Sequence, residues 1–466
     1  MIVIGRTGSG WGSRFWRNDM SRDSRAQASP RRFSPGFLIL AATAVSGASG
    51  YLVTGLVAAS VDVVEYTTFA VFWSALFLVV GGLGGLQHEL ARASGPMITD
   101  RLLPRSVARV SRFSIVFAAV VTVLLASSAP LWGPPLLGSA ALAGAAALVA
   151  GALGYVLVAA SCGVMYGLAL WRPLAIMISL DGVLRLALVG LGLALDAPVE
   201  TLVWAVALPF AVTVIVVLPF VAAPMRRSTL DVGYRGLTAN TGRTIVAAAA
   251  TATIIAGFPV LLRASDPVAP ESVIAPLILV LTLTRAPLVI PMMAMQSYLV
   301  VRFKARPGAL LRRVMNIAAS VLLAAAALAG LLGLVGPWLF VALFGPEYNL
   351  DGIVIAGLVA SSGLVAALAV TSPALLSRSQ HGAVTAGWLV AVGGLLVVLF
   401  VLPMPLVDRA LLALAAGPLL GLVVHVVALL FPASTQATVI AGRPTSKIDE
   451  ASSALHPHGP TRKAKT

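Results

Sequence analysis

The sequence predicts an all-α polytopic membrane protein with twelve transmembrane helices in two six-helix lobes related by a parallel repeat. Three observations lead there. Of 466 residues, 59% are hydrophobic and only 11% charged, whereas a soluble chain carries about a quarter charged residues. The apolar residues fall in successive blocks of about 20 or more, the length a helix needs to cross a hydrocarbon core about 30 Å thick. The connections between blocks alternate between arginine-rich and acidic, as the charge rule for cytoplasmic loops requires. A soluble enzyme, a nucleic-acid reader and a disordered scaffold are thereby excluded, despite a net charge of +15.

Residues 1–34 form a basic tail with Arg6, Arg14, Arg17, Arg22, Arg25, Arg31 and Arg32. Arg31-Arg32-Phe33 is a little like a twin-arginine export signal, but the many spans that follow favour a cytoplasmic tail that orients the first helix. Gly5–Ser13 lacks the Gly-Lys-Ser/Thr ending of a phosphate-binding loop, and Met20 is an alternative start. Spans follow near 36–60, 66–90, 110–130, 138–168, 172–195 and 201–223, an N-lobe over 35–223. A cytoplasmic linker, 224–243, carries Pro224, Arg226, Arg227 and Gly233. The C-lobe, 244–431, has spans near 244–263, 272–300, 312–336, 352–377, 383–402 and 409–431. The polar tail 432–466 lacks the apolar content to fold.

Charge tests this division. One set of connections holds Arg92 to Arg112, Arg172, Arg226 to Arg243, Arg302 to Arg313 and Arg378, with the basic C-terminal tail. The other holds Arg263 and Arg409 among nine acids, including Asp62, Glu65, Asp266, Glu271 and Asp351. One miscounted span would scramble the alternation, so both termini are expected in the cytoplasm. The halves echo each other in the short loops Gly167–Pro173 and Ser377–Gly382, and in the exits Pro130–Pro134 and Pro337–Trp338. Parallel repeats of this kind build transporters. Four lysines among 32 basic residues, beside abundant Ala and Gly, suggest a GC-rich bacterial genome and hence a plasma membrane location.

An ionisable group inside a span costs at least about 2.5–3.5 kcal/mol, so each is a functional candidate. Arg285, mid-span between Thr284 and Ala286-Pro287, has no carboxylate within a helical turn. It either faces a wet cavity, where its planar fork suits a phosphate, or pairs structurally with Asp181. Asp181 and Arg185, four apart in the fifth span, suit an internal ion pair. Functionally, Asp181 could be a proton or cation site that releases Arg185 to an anion. His88, Glu89 and Arg92 end the second span as an interfacial cluster or a gate. Gly257 and Pro259 make a hinge in the seventh span. Gln296 and His425 read as hydrogen-bonded packing. The single Cys162 excludes an intrachain disulfide. No His/Cys/Asp/Glu set has metal-ligand spacing and no nucleophile adjoins a base, so neither metal site nor catalytic residue is expected.

Glu65-Tyr66-Thr67-Thr68-Phe69-Ala70, Arg285-Ala286-Pro287, Leu343-Phe344-Gly345-Pro346-Glu347-Tyr348 and the paired arginine-bearing short loops occur in that order on a twelve-helix frame. The chain resembles the multidrug/oligosaccharidyl-lipid/polysaccharide (MOP) exporter superfamily, especially Wzx-like polysaccharide flippases and more distantly the lipid II flippases. The resemblance covers about 36–431. It implies a two-lobe, MATE-like fold around a cationic cavity and a polyprenyl-(pyro)phosphate-linked saccharide as substrate. It places Arg285 where lipid II flippases have a substrate-binding arginine. The first span has no arginine between Phe37 and Ser60, unlike lipid II flippases, which argues against lipid II itself.

The expected function is therefore a flippase for cell-envelope polysaccharide synthesis, a transporter and not an enzyme. It would work by alternating access with no bound cofactor, driven by a proton, Na+ or the membrane potential. Its partners would be the lipid-linked saccharide, membrane lipids and polysaccharide-assembly proteins, with no nucleic acid. The alternatives are a MATE-like drug/cation antiporter, a polytopic envelope glycosyltransferase or polymerase using Asp62 and Glu65, and an accessory membrane protein without transport.

Overall fold

The computed structural model of the protein describes residues 35–96, 109–226, 228–305 and 309–431. The two tails, 1–34 and 432–466, and Arg101, Arg105, Arg227 and Arg306 of the basic connections lie outside the described residues. Twelve helices follow one another among the described residues, the seventh in two pieces. The first six are α1 (Pro35–Ser60), α2 (Val63–Ala93), α3 (Val110–Leu137), α4 (Ala141–Gly167), α5 (Trp171–Ala194) and α6 (Val199–Arg226). Then come α7a (Tyr234–Ile255), α7b (Phe258–Ser265), α8 (Glu271–Ala305), α9 (Leu310–Phe344), α10 (Gly352–Ser377), α11 (His381–Val401) and α12 (Leu406–Leu430). A short antiparallel ladder joins β1 (Ser94–Pro96) to β2 (Ser228–Leu230), with Gly95 opposite Thr229.

Ten helical stretches are long and apolar enough to cross a membrane, and the bent pair α7a–α7b makes an eleventh. One of the ten, Val110–Gly167, has 58 residues and would be about 87 Å long if straight. It is two passes folded at Gly138, whose φ of 53° opens a turn that a glycine adopts without strain.

Three boundaries differ from the sequence reading. Pro130 was expected to end the third span, yet α3 runs through Pro130, Pro134 and Pro135 to Leu137. The ninth continues past Pro337 to Phe344. Proline inside a membrane helix is tolerated because neighbouring groups take up the freed carbonyls. Within 224–243, α6 extends to Arg226 and α7a starts at Tyr234, so the connection is mostly helix and strand.

The paired short loops match backbone for backbone. Between α4 and α5, Ala169 has φ 55°, and Leu170 N donates to Met165 O (2.8 Å). Between α10 and α11, Ser379 has φ 60°, and Gln380 N donates to Leu375 O (3.0 Å). A central left-handed residue with a six-to-one hydrogen bond closes each helix end in the same way.

The chain divides into two compact units. One comprises the residues up to Ala286 with Trp338–Leu350, and the other Pro287–Pro337 with the residues from Asp351. The division thus crosses α8 and α9 at prolines. Proline lacks the amide that would tie it to the preceding turn. In the first unit α2 and α7a run closely together: a side chain on Gly81 would overlap Ala252 and one on Gly85 would overlap the Ile245 backbone. In the second, Leu299, Phe303, Val314, Val370 and Leu429 pack as one buried cluster.

Candidate functional site

Polar groups in the first unit gather around the break in α7. The axes of α7a and α7b differ by 73°, so the last carbonyls of one piece and the first amides of the other lose their helical partners. The turn residue is Gly257, which has no side chain to serve as an N-cap. Neighbouring helices supply the caps. Arg285 on α8 donates its Nη1 to Ile254 O (2.7 Å) and Ile255 O (2.9 Å). Ser74 on α2 donates its hydroxyl to Ala256 O (2.6 Å) and accepts from Val260 N (3.1 Å). Val260 is the third residue of α7b, the one whose amide an N-cap side chain ordinarily satisfies. Pro259, at the second position, has no amide to satisfy. The residues read as a hinge therefore mark a sharp bend braced from two other helices. Gly257 is confined there, since a methyl group would come within 3.0 Å of the Thr253 backbone.

Arg285 is 4% exposed. Its Nη1 is committed to the break, whereas Nε and Nη2 are buried with no hydrogen-bond partner among the described residues. The pairing with Asp181 considered from sequence is not formed, because Asp181 is engaged elsewhere. The guanidinium therefore carries two N–H directions that a further acceptor would satisfy, in a setting where an unmade hydrogen bond costs most.

Asp181 and Arg185 form the expected pair, with Nη2 to Oδ1 at 2.9 Å. Arg185 also donates Nε to Val206 O (3.1 Å) and lies over the rings of Phe210 (4.7 Å) and Phe77 (5.3 Å). It is 3% exposed. Its charge thus ties α5 to α6 and α2.

At the basic end of α2, Glu89 is 2% exposed and accepts both Nε (2.9 Å) and Nη2 (2.7 Å) of Arg92. Asn240 of α7a donates to the same carboxylate at 3.0 Å, and Arg92 reaches Asp231 at 3.0 Å. With the β1–β2 ladder, these bonds bind the end of α2 to the start of α7a. His88 is exposed, and among the described residues it makes none of these bonds. Ser74, Asp231 and Asn240 escaped the sequence reading, since one serine in an apolar helix and two polar residues in a connection carry no spacing signal.

At the acidic end, two of the short motifs meet. Tyr66 and Tyr348 pack edge to face, with ring centroids 5.6 Å apart, and both are buried. Burial, with the Glu347 and Asp62 carboxylates, holds the Tyr348 phenol well above its ordinary pKa. Asp62 caps α2, accepting from Val64 N (2.8 Å) and Glu65 N (2.9 Å). Among the described residues no three His, Cys, Asp or Glu side chains gather to hold a metal ion.

No family model matches the chain. It is 32% identical over 396 residues to the uncharacterized protein Rv1510 of Mycobacterium tuberculosis, covering 84% of this chain and 90% of that one. The chain belongs to the Rv1510 family. The uncharacterized Rv3630 of the same species is 31% identical over 396 residues, covering 83% and 90%. Among solved structures, an inward-facing MATE multidrug resistance transporter of the MOP superfamily matches with TM-score 0.62 and 14% identity, over 84% of this chain and 93% of that one. The lipid II flippase MurJ, inward closed, matches with TM-score 0.61 and 10% identity, over 85% and 88%. This member of the Rv1510 family is therefore a multi-pass membrane protein with the MOP transporter fold.

Proposed function

We propose that the protein is an alternating-access flippase. It moves a polyprenyl-(pyro)phosphate-linked saccharide across a bacterial plasma membrane for envelope polysaccharide synthesis, with both termini in the cytoplasm. The observation that carries this reading is Arg285, a buried guanidinium held by Nη1 with Nε and Nη2 unsatisfied. Two adjacent N–H groups on a planar cation match the oxygens of a phosphate. The MOP fold, common to a lipid flippase and to drug transporters, supports transport over an envelope enzyme. Asp62, which the enzyme reading would use, is occupied as a helix cap.

In this reading Arg285 binds the anionic headgroup, and the bend at Gly257–Pro259 is the element whose geometry the headgroup senses. A phosphate held on Nε and Nη2 acts on the same rigid guanidinium whose Nη1 holds the Ile254 and Ile255 carbonyls. Binding then biases the bend by its differential affinity for the two geometries. The Asp181–Arg185 pair and the Glu89–Arg92 cluster brace the helices around it.

A MATE-like cation antiporter is the second reading, since the fold matches a MATE transporter (TM-score 0.62) as well as MurJ (0.61). Its cation site would be Asp181, which Arg185 already neutralises. Reconstitution separates the two. In proteoliposomes holding a fluorescent polyprenyl-pyrophosphate-linked saccharide, the protein should speed exchange between leaflets, and Arg285→Ala should abolish it. Unchanged exchange with wild-type protein, alongside uptake of a cationic dye, would favour the antiporter.

A further inference from the structure

The second unit contains a buried polar chain that the substrate reading does not use. His425 of α12 is 0% exposed. Its ring fits against bare backbone, since a side chain on Gly387 of α11 would overlap it. Nε2 lies 3.2 Å from Val384 O, and Nδ1 lies 2.7 Å from Thr371 Oγ1. Thr371 Oγ1 in turn is 2.8 Å from Leu368 O, one turn back in α10.

These three short contacts each need one proton. A neutral imidazole and a hydroxyl bring two, and an imidazolium and a hydroxyl bring three. With the ring charged, Nε2–H donates to Val384 O, Nδ1–H donates to Thr371, and Thr371 donates to Leu368 O. With the ring neutral, Nε2–H keeps Val384 O and Thr371 turns its proton to Nδ1. Leu368 O then still accepts from Ser372 (3.3 Å), whose hydroxyl is held by Trp388 Nε1 (3.1 Å). Both states are fully bonded, and only one hydroxyl rotor distinguishes them.

Among the described residues the ring's hydrogen-bond partners are the Thr371 hydroxyl and the Val384 carbonyl, and no ion pair reaches it. On the three helices around it, α10, α11 and α12, the titratable side chains are Arg378, His381, Asp408 and Arg409, with Asp351 as the cap of α10. All stand at helix ends, and Arg378 donates its Nη1 to Leu429 O (2.8 Å), one turn beyond His425 on α12. On α8 and α9, which pack against α10 and α12 near Leu429, the charges within this unit are Arg302, Lys304, Arg312 and Arg313, also at helix ends. The charge on the imidazole is thus set by its oxygen acceptors and not by an ion pair.

We propose that His425, with Thr371 and the Val384 carbonyl, is a buried proton-binding site. The ligand is a proton, and the reaction is imidazole plus H+ to imidazolium with no other bond made or broken. Proton coupling at this site rests on the transport reading, whereas proton binding does not.

The chain has five histidines. A full-length variant with His88, His381, His456 and His458 changed to Gln leaves one 15N-histidine signal in nanodiscs, read by NMR from pH 5 to 8. The expected result is a reversible change of that signal from the neutral to the doubly protonated pattern. Thr371→Val, which removes the acceptor for Nδ1–H, should weaken proton binding about tenfold, moving the midpoint down about one pH unit. Thr371→Ser should keep it. A neutral, single-tautomer signal throughout that range overturns the proposal, as does a midpoint that Thr371→Val leaves unmoved. If the titration is seen while flipping of the lipid-linked saccharide is not, the transport reading fails and the proton site stands.

Discussion

Ser74 is the sharpest test of how the bend in α7 is held. Ser74→Ala deletes one hydroxyl that serves two buried backbone groups, the carbonyl of Ala256 at 2.6 Å and the amide of Val260 at 3.1 Å. The serine is 1% exposed, so water cannot replace it without opening the helix contact. Leaving a buried polar group unsatisfied costs about 1–3 kcal/mol, and two such groups bring the loss to about 2–6 kcal/mol. Thr67→Val in the same helix is the matched control. Thr67 is 2% exposed and its hydroxyl only returns to Val63 O in its own turn (2.8 Å), so its loss should cost less than about 1 kcal/mol. The chain supplies its own probe, because its single cysteine, Cys162, is buried and becomes reactive on unfolding. Thermal unfolding in detergent with a thiol-reactive fluorophore should give a clearly lower midpoint for Ser74→Ala than for Thr67→Val. Hydrogen exchange should show lost protection over residues 258–262. Equal midpoints, with those amides still protected, would refute the assignment of Ser74 as the cap of α7b.

Gly85→Ala should cost about 1–3 kcal/mol, because the added methyl overlaps the Ile245 backbone and forces α2 from α7a; Gly84→Ala, where nothing lies within 4 Å, is the control in the same unfolding assay. Asp181→Ala strands a guanidinium that is 4% exposed and should destabilise the protein by about 3–5 kcal/mol. Asp181→Ala with Arg185→Met should recover much of that loss, which a double-mutant cycle measures. Glu89→Ala removes the acceptor of two Arg92 nitrogens and of Asn240. It should loosen the β1–β2 ladder first, seen as faster exchange at residues 228–230 before any global unfolding.

The helical frame was legible in the sequence because bilayer thickness imposes its own length on each apolar block. The span 352–377 coincides with α10, residue for residue. Where the reading stopped helices at Pro130 and Pro337 it applied a rule from water, where the freed carbonyl has no packed neighbour to turn to. The Asp181–Arg185 pair was visible because four-residue spacing is a property of one helix. The bracing of α7 was not. Ser74 lies 182 residues before Ala256, and nothing local in Phe72-Trp73-Ser74-Ala75 marks its hydroxyl as a cap for another helix. Arg285 was conspicuous as a charge, but its bonds to Ile254 and Ile255 depend on a break in a different helix. His425 was read as packing, and only the tertiary geometry brings Thr371, Val384 and the bare backbone of Gly387 around its ring.

The central claim is that the two unsatisfied nitrogens of Arg285 meet a phosphate, and binding of polyprenyl pyrophosphate to protein in nanodiscs tests it most directly. Wild type should bind. Arg285→Gln, which keeps an N–H donor for the α7a carbonyls and loses the charge, should bind at least about tenfold more weakly. Arg285→Lys, a point charge without the fork, should fall between them. Equal affinity for wild type and Arg285→Gln, with α7 still protected from exchange, would make Arg285 a cap for the bent helix and nothing more.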